Sequence, residues 1–328
     1  MKRVAMHHRG RSRWAMMSPV AGTLALALTP TAARAELDGT QPDTSFVQYL
    51  GAGGAAIDAP LGVAVDVRAG EIVLANTGGR RIEIYDMSLR PRGSFAHPVP
   101  DTSGEIHEGQ PKHVAVDAES RLYISDVTVP WVDVCDFRGH SLTHLTLPAP
   151  DDRLTTGGAG PIAIAADGRI YVASRRDRPR IYVFGPDHRL ERSWGEAGTA
   201  PGQLHSITAL AVGPDSNVVV TCARTERAVQ VFDAQGRYLR GFGVHDIGPG
   251  NFSQPTGVVV TPDGRIWVVD SIRANLQVFD PAGTLVGATG GGEGPGAWLY
   301  PSALASDGHG WFAVAEMGGS RLRLLHIR

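Results

Sequence analysis

Cysteine is scarce in this chain, which contains only Cys135 and Cys222 among 328 residues. Both lie in apolar stretches of distant segments, which favours buried thiols over a disulfide. Neither belongs to a Cys-x-x-Cys-His motif, so attachment of a c-type haem is excluded. Packing and backbone hydrogen bonds, rather than covalent links, must therefore stabilise the fold.

Other absences narrow the range of functions. The chain has no phosphate-binding G-x-x-x-x-G-K-[ST] loop, no G-x-S-x-G nucleophile elbow and no catalytic order of Ser, His and Asp. After the first 35 residues, no stretch is apolar enough to span a bilayer. Lysine is nearly missing as well, since Lys2 and Lys112 are the only two, and arginine carries almost all the positive charge.

The first 35 residues differ from the rest. A basic segment, MKRVAMHHRGRSR, precedes an apolar one, WAMMSPVAGTLALAL, and Ala33-Arg34-Ala35 follows as a small-residue cleavage signal. This order predicts a secretory signal peptide at 1–35, cleaved after Ala35, then a short segment at 36–45 and one repeat domain at 46–328. An uncleaved N-terminal anchor is the alternative. The mature protein is expected in the periplasm or outside the cell.

Cleavage would change the charge balance. The first 35 residues contain six of the 31 basic residues and none of the 33 acidic ones, so the mature chain would have a formal net charge of −8. A chain of that charge is a poor general binder of nucleic acid, because nucleic-acid affinity depends on neutralising phosphates. No nucleic-acid partner is therefore expected.

A repeat of about 45 residues runs along the chain. Apolar runs that end in aspartate recur six times, at Asp66, Asp117, Asp167, Asp215, Asp263 and Asp307. A second and a third apolar run follow each aspartate, as RIWVV and NLQVF do in the fifth repeat, and in several repeats a fourth run ends in glycine. Turn residues separate the runs. The pattern predicts four short strands per repeat.

Six sheets of four strands have apolar faces that only a radial arrangement buries, so the predicted fold is an all-β six-bladed propeller. The last repeat stops after its third strand. The segment from residue 45, SFVQYLGAGG, matches the fourth strand and the following loop of other repeats. We therefore expect residues 46–50 to supply the outer strand of the last blade and close the ring.

The repeat unit resembles the NHL repeat over residues 46–328. The fifth repeat carries the motif best, with Gly248, Gly250, Phe252, Pro255, Gly257, Asp263, Gly264, Asp270, Asn275, Gln277, Phe279, Asp280 and Gly283. The resemblance implies a propeller fold but no particular chemistry. Repeats two and three depart from the motif in the segments that lead into their first strand.

The loops between second and third strands, together with the loops that lead into the inner strands, should form one face of the propeller, here called the top face. Arginine is common in these loops and could bind carboxylates or phosphates. The alternative is compositional, because arginine is the default basic residue of this chain. With Lys112 and His113 beside the second inner strand, the predicted binding residues are Arg80, Arg81, Lys112, His113, Arg175, Arg176, Arg178, Arg180, Arg224, Arg227 and Arg273.

His113 begins an inner strand and should face the central channel. NHL-type propellers include peptide α-amidating lyases, which hold zinc with histidines at channel-facing positions of several blades. Here the matching positions of the other blades hold no histidine, which argues against carrying that activity over. We assign those positions to Gly62, Ala163, Thr208, Gly257 and Ala303.

Carboxylates end three of the predicted second strands near the top face: Asp126, Asp270 and Glu316. With His113 they could surround a calcium or zinc ion. The resemblance to sugar-lactone hydrolases and strictosidine-synthase-like propellers supports such a site. The alternative is that these side chains cap loops, as the NHL motif implies for its aspartate.

We interpret the protein as a non-enzymatic binding scaffold that needs no cofactor and presents its arginine-rich top face to an acidic protein, an acidic peptide or a small anion. The alternative is a metal-dependent hydrolase or lyase of the propeller type, either lactonase-like or similar to the α-amidating lyases, with calcium or zinc in the channel.

Overall fold

The computed structural model describes residues 42–100, 103–148, 158–174, 179–291 and 296–328. The predicted signal peptide lies outside the described residues, and so do Arg175, Arg176 and Arg178. No helix in the described ranges is long and apolar enough to cross a membrane.

The first half of the chain forms a first strand that joins the last sheet, three four-stranded antiparallel sheets and one small pair of strands. Strand β1 is Thr44–Gln48, and Ala52–Gly54 forms a short 3-10 turn. Blade 1 consists of β2 Gly62–Asp66, β3 Glu71–Asn76, β4 Arg81–Asp86 and β5 Pro91–Ala96. A hairpin of β6 Pro98–Pro100 and β7 Ile106–Glu108 follows. Blade 2 consists of β8 Pro111–Val116, β9 Leu122–Asp126, β10 Trp131–Cys135 and β11 Ser141–Thr146. Blade 3 consists of β12 Ala159–Ile164, β13 Ile170–Ser174, β14 Ile181–Phe184 and β15 Leu190–Trp194.

The second half continues the same pattern. A two-residue parallel pair, β16 Glu196–Ala197 and β17 Gln203–Leu204, precedes blade 4. Blade 4 consists of β18 Ile207–Val212, β19 Val218–Cys222, β20 Val229–Phe232 and β21 Tyr238–Phe242. Blade 5 consists of β22 Pro255–Val260, β23 Ile266–Asp270, β24 Asn275–Phe279 and β25 Leu285–Gly290. Blade 6 consists of β26 Pro301–Ser306, β27 Trp311–Glu316 and β28 Arg321–His326.

The ring closes through the N-terminal strand. β1 pairs antiparallel with β28, with Phe46 opposite Leu324, and so becomes the fourth strand of blade 6. At the same edge, Asp43 contacts His326 at 2.9 Å and Arg328 at 2.6 Å. The predicted six-bladed propeller and its closure are confirmed, with the strand shifted two residues towards the N-terminus. Closure leaves no free edge at the junction of the first and last blades.

Apolar side chains of neighbouring blades form the core. Within the described residues, six hydrophobic clusters occur, and each joins the facing sheets of two adjacent blades. In one of them, Phe252 and Phe279 of blade 5 pack with Val229 and Val231 of blade 4. Since both faces of every sheet are covered in this way, the strands read as continuous apolar runs rather than as alternating ones.

The inner strands of five blades begin with a register irregularity. In blades 2 to 6 the pairing between the first and second strands shifts near the top, as between Pro111 and His113. Such a bulge inserts an extra residue and turns its side chain. The bulges also change which residue corresponds to His113 in the other blades. His113 pairs with Ser125, the last but one residue of β9. In blade 4 the residue in the same position is Ala209, not the predicted Thr208.

Blade 3 shows the same kind of difference. Its irregularity spans Ala159 to Ile162, so Pro161, and not Ala163, reaches the level of His113. The correspondence to Gly62, Gly257 and Ala303 is as predicted. The repeat pattern could not reveal the two shifts, because a bulge adds a residue without changing the apolar run.

Candidate functional site at the mouth of the channel

A cavity of about 630 Å³ opens where the central channel meets the top face. Every blade contributes to its wall, which identifies it as the mouth of the channel and not as a groove between two blades. The residues that line it are Leu61, Lys112, His113, Pro161, Ser174, Pro179, Ala197, His205, Ser206, Ile207, Thr208, Gln254, Thr256, Ser271, Ser302 and Met317.

The irregular starts of the inner strands supply much of this wall. The extra residue is Lys112 in blade 2, Thr208 in blade 4, Thr256 in blade 5 and Ser302 in blade 6, and all four line the cavity. A regular strand would alternate these side chains between the two faces of the sheet. The bulge instead presents one polar side chain per blade to the mouth.

Hydroxyl groups of this rim connect neighbouring blades. Thr256 Oγ1 donates to the carbonyl of Pro301 at 2.9 Å, and Ser302 Oγ donates to the carbonyl of Pro60 at 2.6 Å. Between blades 1 and 2, Thr77 Oγ1 donates to the carbonyl of Pro111 at 2.7 Å. The bonds fix the hydroxyl orientations, and the oxygens of the lining residues Thr256 and Ser302 keep acceptor capacity towards the cavity.

The described lining contains one cation, Lys112, and two histidines, His113 and His205, whereas none of its described residues is Asp or Glu. His205 Nδ1 lies 2.9 Å from Ser206 Oγ, so a histidine and a hydroxyl are adjacent at the rim. A pocket with a lysine, imidazole and hydroxyl donors, and no carboxylate among its described residues is suited to an anionic ligand.

Below the mouth the channel narrows. A second cavity of about 60 Å³ lies between the inner strands, and His113 lines both cavities. That volume holds about two water molecules. Gly62 shows how close the strands are: a Cβ at this position would lie 2.5 Å from the carbonyl oxygen of Lys112. A ligand of ordinary size must therefore enter and leave through the top face.

Asp270 caps loops and does not face the cavity as a ligand. Its fully buried carboxylate accepts hydrogen bonds from the backbone N–H groups of Ser253 at 2.6 Å, Gln254 at 3.1 Å, Ile272 at 3.1 Å and Arg273 at 2.9 Å. It thereby joins the loop that leads into β22 to the turn between β23 and β24. This is the structural alternative that the sequence left open.

Glu316 forms ion pairs with two arginines. One of its buried oxygens lies 2.7 Å from Arg321 Nη2 and accepts from the Leu299 N–H at 2.7 Å, and the other lies 2.5 Å from Arg323 Nε. Each of these ionic side chains is less than a tenth exposed. The cluster fastens the loop before β26 to blade 6.

Asp126 belongs to a buried ionic cluster that sequence reasoning missed. His97 Nδ1 lies 3.0 Å from Asp126 Oδ2, and His97 Nε2 lies 3.3 Å from Asp133 Oδ2. Burial opposes a charge on the imidazole, but the hydrogen bonds to the two carboxylates outweigh it and raise the pKa of His97 to about 9. His97 therefore lies inside blade 2, away from the channel; His107, in β7, is exposed.

The three carboxylates of the predicted metal site are already bonded to protein groups. Asp126, Asp270 and Glu316 each have protein partners for their carboxylates, and a metal bound with His113 would have to displace them. Across the described ranges, no three His, Cys, Asp or Glu side chains are grouped so that they could hold a metal ion. The described donors thus do not fit an ion in the channel, and no step through a metal is derived.

The predicted arginines fall into two groups. Arg81 pairs with Glu83 at 3.1 Å, Arg180 donates to the Ser193 carbonyl at 3.1 Å, and Arg273 donates to the carbonyls of Gly248 and Asn251 at 2.9 and 2.6 Å. These three therefore stabilise loops and sheets. The exposed described arginines of the predicted set are Arg80, Arg224 and Arg227.

Several lining residues were absent from the predicted set: His205, Gln254, Ser271 and Met317. A sequence signal for them exists. Gln254 directly precedes an inner strand, and Ser271 and Met317 directly follow second strands. Backbone bonds from Ser271 N to Gln254 O, 2.9 Å, and from Met317 N to Tyr300 O, 3.1 Å, place both loop types at one rim.

The comparisons with known proteins agree with this architecture. The NHL repeat family matches residues 252–279, which span most of blade 5 up to the end of its third strand. No curated protein matches the chain significantly in sequence.

Among solved structures, a streptogramin B lyase is similar at 13% identity, covering 87% of this chain and 98% of its own, with a TM-score of 0.62. A virginiamycin B lyase from Staphylococcus aureus has 13% identity, coverage of 87% and 100%, and a TM-score of 0.59. A gluconolactonase from Xanthomonas campestris has 18% identity, coverage of 90% and 93%, and a TM-score of 0.61. At these identities the likeness establishes the fold alone.

Proposed function

The chain is a six-bladed β-propeller with an NHL repeat in its fifth blade, and we propose that it is an exported binding protein that holds an acidic ligand in the mouth of its channel. The ligand is a small anion or the acidic end of a peptide or protein. Export follows the expectation from the N-terminal 35 residues, with the mature protein in the periplasm or outside the cell.

One observation carries this proposal: the described lining of the mouth combines Lys112, His113 and His205 with hydroxyl groups and has no carboxylate. The rest of the chain is acidic, with 33 acidic residues in total. A local positive pocket on such a body attracts an anion to one place and repels it elsewhere. The exposed Arg80, Arg224 and Arg227 on the same face would add to that attraction.

The test is a titration of residues 36–328 with hexanoate, gluconate and inorganic phosphate, each followed by calorimetry at 20 and 200 mM NaCl. We expect at least one of these anions to bind, more weakly at the higher salt concentration because screening weakens charge contacts. Lys112→Gln should lower that affinity about fivefold, whereas Arg189→Gln, an exposed change on an outer loop, should not. Absence of binding by all three anions, or an unchanged affinity in Lys112→Gln, would contradict the proposal.

A second candidate is a hydrolase or lyase that acts in the same cavity. The observation that favours it is the presence of His113 and His205 in the lining, because histidine can donate and accept protons near neutral pH. The solved lyases and gluconolactonase named above have the same fold. Elemental analysis for zinc and calcium, followed by hydrolysis assays on gluconolactone, tests it. Hydrolysis of gluconolactone by the wild type that disappears in His113→Ala would favour the enzyme over the binding protein.

A further inference from the structure

Around the mouth, the charged and the apolar side chains lie on different arcs. The lysine and the two histidines of the described lining come from blades 2 and 4: Lys112, His113 and His205. Exposed apolar side chains instead cluster at the rim of blades 5 and 6. They are Ile272, Leu299, Tyr300 and Met317, with exposures of 58%, 43%, 55% and 40%.

These apolar residues belong to the rim of the cavity. Met317 lines it directly, and Ile272 follows Ser271, which also does. Tyr300 accepts the Met317 N–H through its carbonyl at 3.1 Å and lies two residues before the lining residue Ser302. The mouth therefore has a positive side and an apolar side.

Tyr300 is unusual for its position. In each of four blades, the N–H of the residue after the second strand donates to the carbonyl of the residue before the inner strand. This bond identifies Gln110, Ser206 and Gln254 as the counterparts of Tyr300. Only Tyr300 among these four is aromatic. Its φ of 47° lies in the left-handed region, as does the φ of 50° at its counterpart Ser206, so this backbone conformation belongs to the loop and not to Tyr300 alone.

The turn beneath Tyr300 accommodates its ring. A Cβ on Gly318 would lie 2.4 Å from Tyr300 Cδ2, so the absence of a side chain there lets the ring rest against the turn. One side of the ring thus packs against the turn while more than half of the residue stays exposed. An exposed aromatic held in place in this way can stack with a flat ligand.

We propose that the ligand of this mouth is an aromatic acid, whose anionic group lies among Lys112, His113 and His205 while its ring stacks on Tyr300 beside Met317. The inference rests on the proposed function and adds the apolar half of the ligand. Aromatic stacking, together with the apolar area that the ring buries, should give about a tenfold gain in affinity.

The experiment compares ligands that share a carboxylate and differ in the ring. Butyrate, 4-phenylbutyrate, hexanoate and 6-phenylhexanoate are titrated into residues 36–328 by calorimetry, and 6-phenylhexan-1-ol serves as the ligand without charge. We expect one phenyl acid to bind about tenfold more tightly than its ring-free partner, and the alcohol to bind more weakly than the acid. The two spacer lengths allow for the separation between the positive and apolar sides.

Variants separate the two parts of the site. Tyr300→Ala should lower the affinity of the phenyl acid about tenfold and leave that of the ring-free acid unchanged, whereas Tyr300→Phe should keep both. Tyr238→Ala, which removes an exposed tyrosine from the outer strand of blade 4, is the matched control and should change neither. Circular dichroism and thermal unfolding confirm that each variant is folded.

The outcomes distinguish the inference from the proposed function. If the ring-free and phenyl acids bind equally, or if Tyr300→Ala leaves their ratio unchanged, the aromatic side is wrong while anion binding stands. If the alcohol binds as tightly as the acid, the apolar contact exists without the anion site, and the inference is overturned. If none of the acids binds, and gluconate and phosphate do not bind either, both are wrong.

Discussion

Blades 5 and 2 hold the loop that leads into their inner strand in different ways. In blade 5, Asp270 accepts four backbone N–H groups, and Gln277 accepts from the Gly250 N–H at 3.1 Å and donates to the Asn251 carbonyl at 2.9 Å. In blade 2, the equivalent third-strand position is Asp133, and the corresponding loop inserts His97 between two carboxylates.

The difference teaches that a buried histidine between carboxylates can replace a neutral amide as a loop anchor. Burial favours the neutral forms of Asp126 and Asp133, but their hydrogen bonds to His97 hold the pKa of each carboxyl below its usual range. Blade 2 therefore depends on ionisation, and blade 5 has no histidine in its anchor. The cluster resembles catalytic machinery in composition, but its place in the fold is structural.

The largest effect should come from removing the cation of blade 2. His97→Ala leaves two buried carboxylates facing each other, and breaking such a cluster costs about 3–5 kcal/mol. Urea unfolding of wild type and variant at pH 7 measures the difference. A loss below about 1 kcal/mol would mean that water replaces the imidazole, and the contrast with blade 5 would disappear.

The pH dependence sharpens the same contrast. The folded pKa of His97, about 9, lies above its ordinary value of 6.5, so the contribution of the charged imidazole is complete below pH 6.5. It is lost as the pH rises through about 9. The stability difference between wild type and His97→Gln should therefore shrink from pH 6.5 to pH 10, as measured by urea unfolding. Parallel curves for the two proteins would show that His97 is neutral in the fold.

Asp270→Ala should be the next largest change. It leaves several buried backbone N–H groups without an acceptor, at about 1–3 kcal/mol each before relaxation, and we expect about 3 kcal/mol in total. The loss should be the same at pH 6.5 and 9, because no histidine takes part. Asp280→Ala, at an exposed turn of the same blade, is the control and should cost less than about 1 kcal/mol. A pH-dependent loss at Asp270 would contradict the comparison.

The smallest effect should come from the hydroxyls at the rim. Thr256→Val removes the bond to Pro301 between blades 5 and 6, and Thr77→Val removes the bond to Pro111 between blades 1 and 2. Each should cost about 1 kcal/mol in urea unfolding. Because Thr77 is buried, the Pro111 carbonyl that loses its donor has little access to water, and the cost of Thr77→Val should be the larger. The opposite order would show that blade 2 is anchored by its ionic cluster alone.

Much of the fold could be predicted because its determinants are local. The spacing of apolar runs and turn residues predicted six blades, and the match between SFVQYL and other fourth strands predicted the closure that β1 makes with β28. The NHL motif also indicated that Asp270 caps loops, which was one of two alternatives beside metal binding.

The site was harder to predict. Arg81, Arg180 and Arg273 were expected to face a partner, but their guanidinium groups bind the protein's own carbonyls, hydroxyls or carboxylate. His205, Gln254 and Met317 were missed because each lies at a loop position that only the stacked arrangement of blades brings to the cavity.

The sequence by itself determined the number of blades, the strand order and the closing partner, since a repeated period of apolar runs admits one radial packing. Only the tertiary structure decided which side chains reach the channel. One reason is the bulge at the start of five inner strands, which turns Lys112, Thr208, Thr256 and Ser302 into the mouth. The other is that residues such as His97 and Asp133 are distant in sequence, so their charges acquire a role only when the loop is packed against the blade.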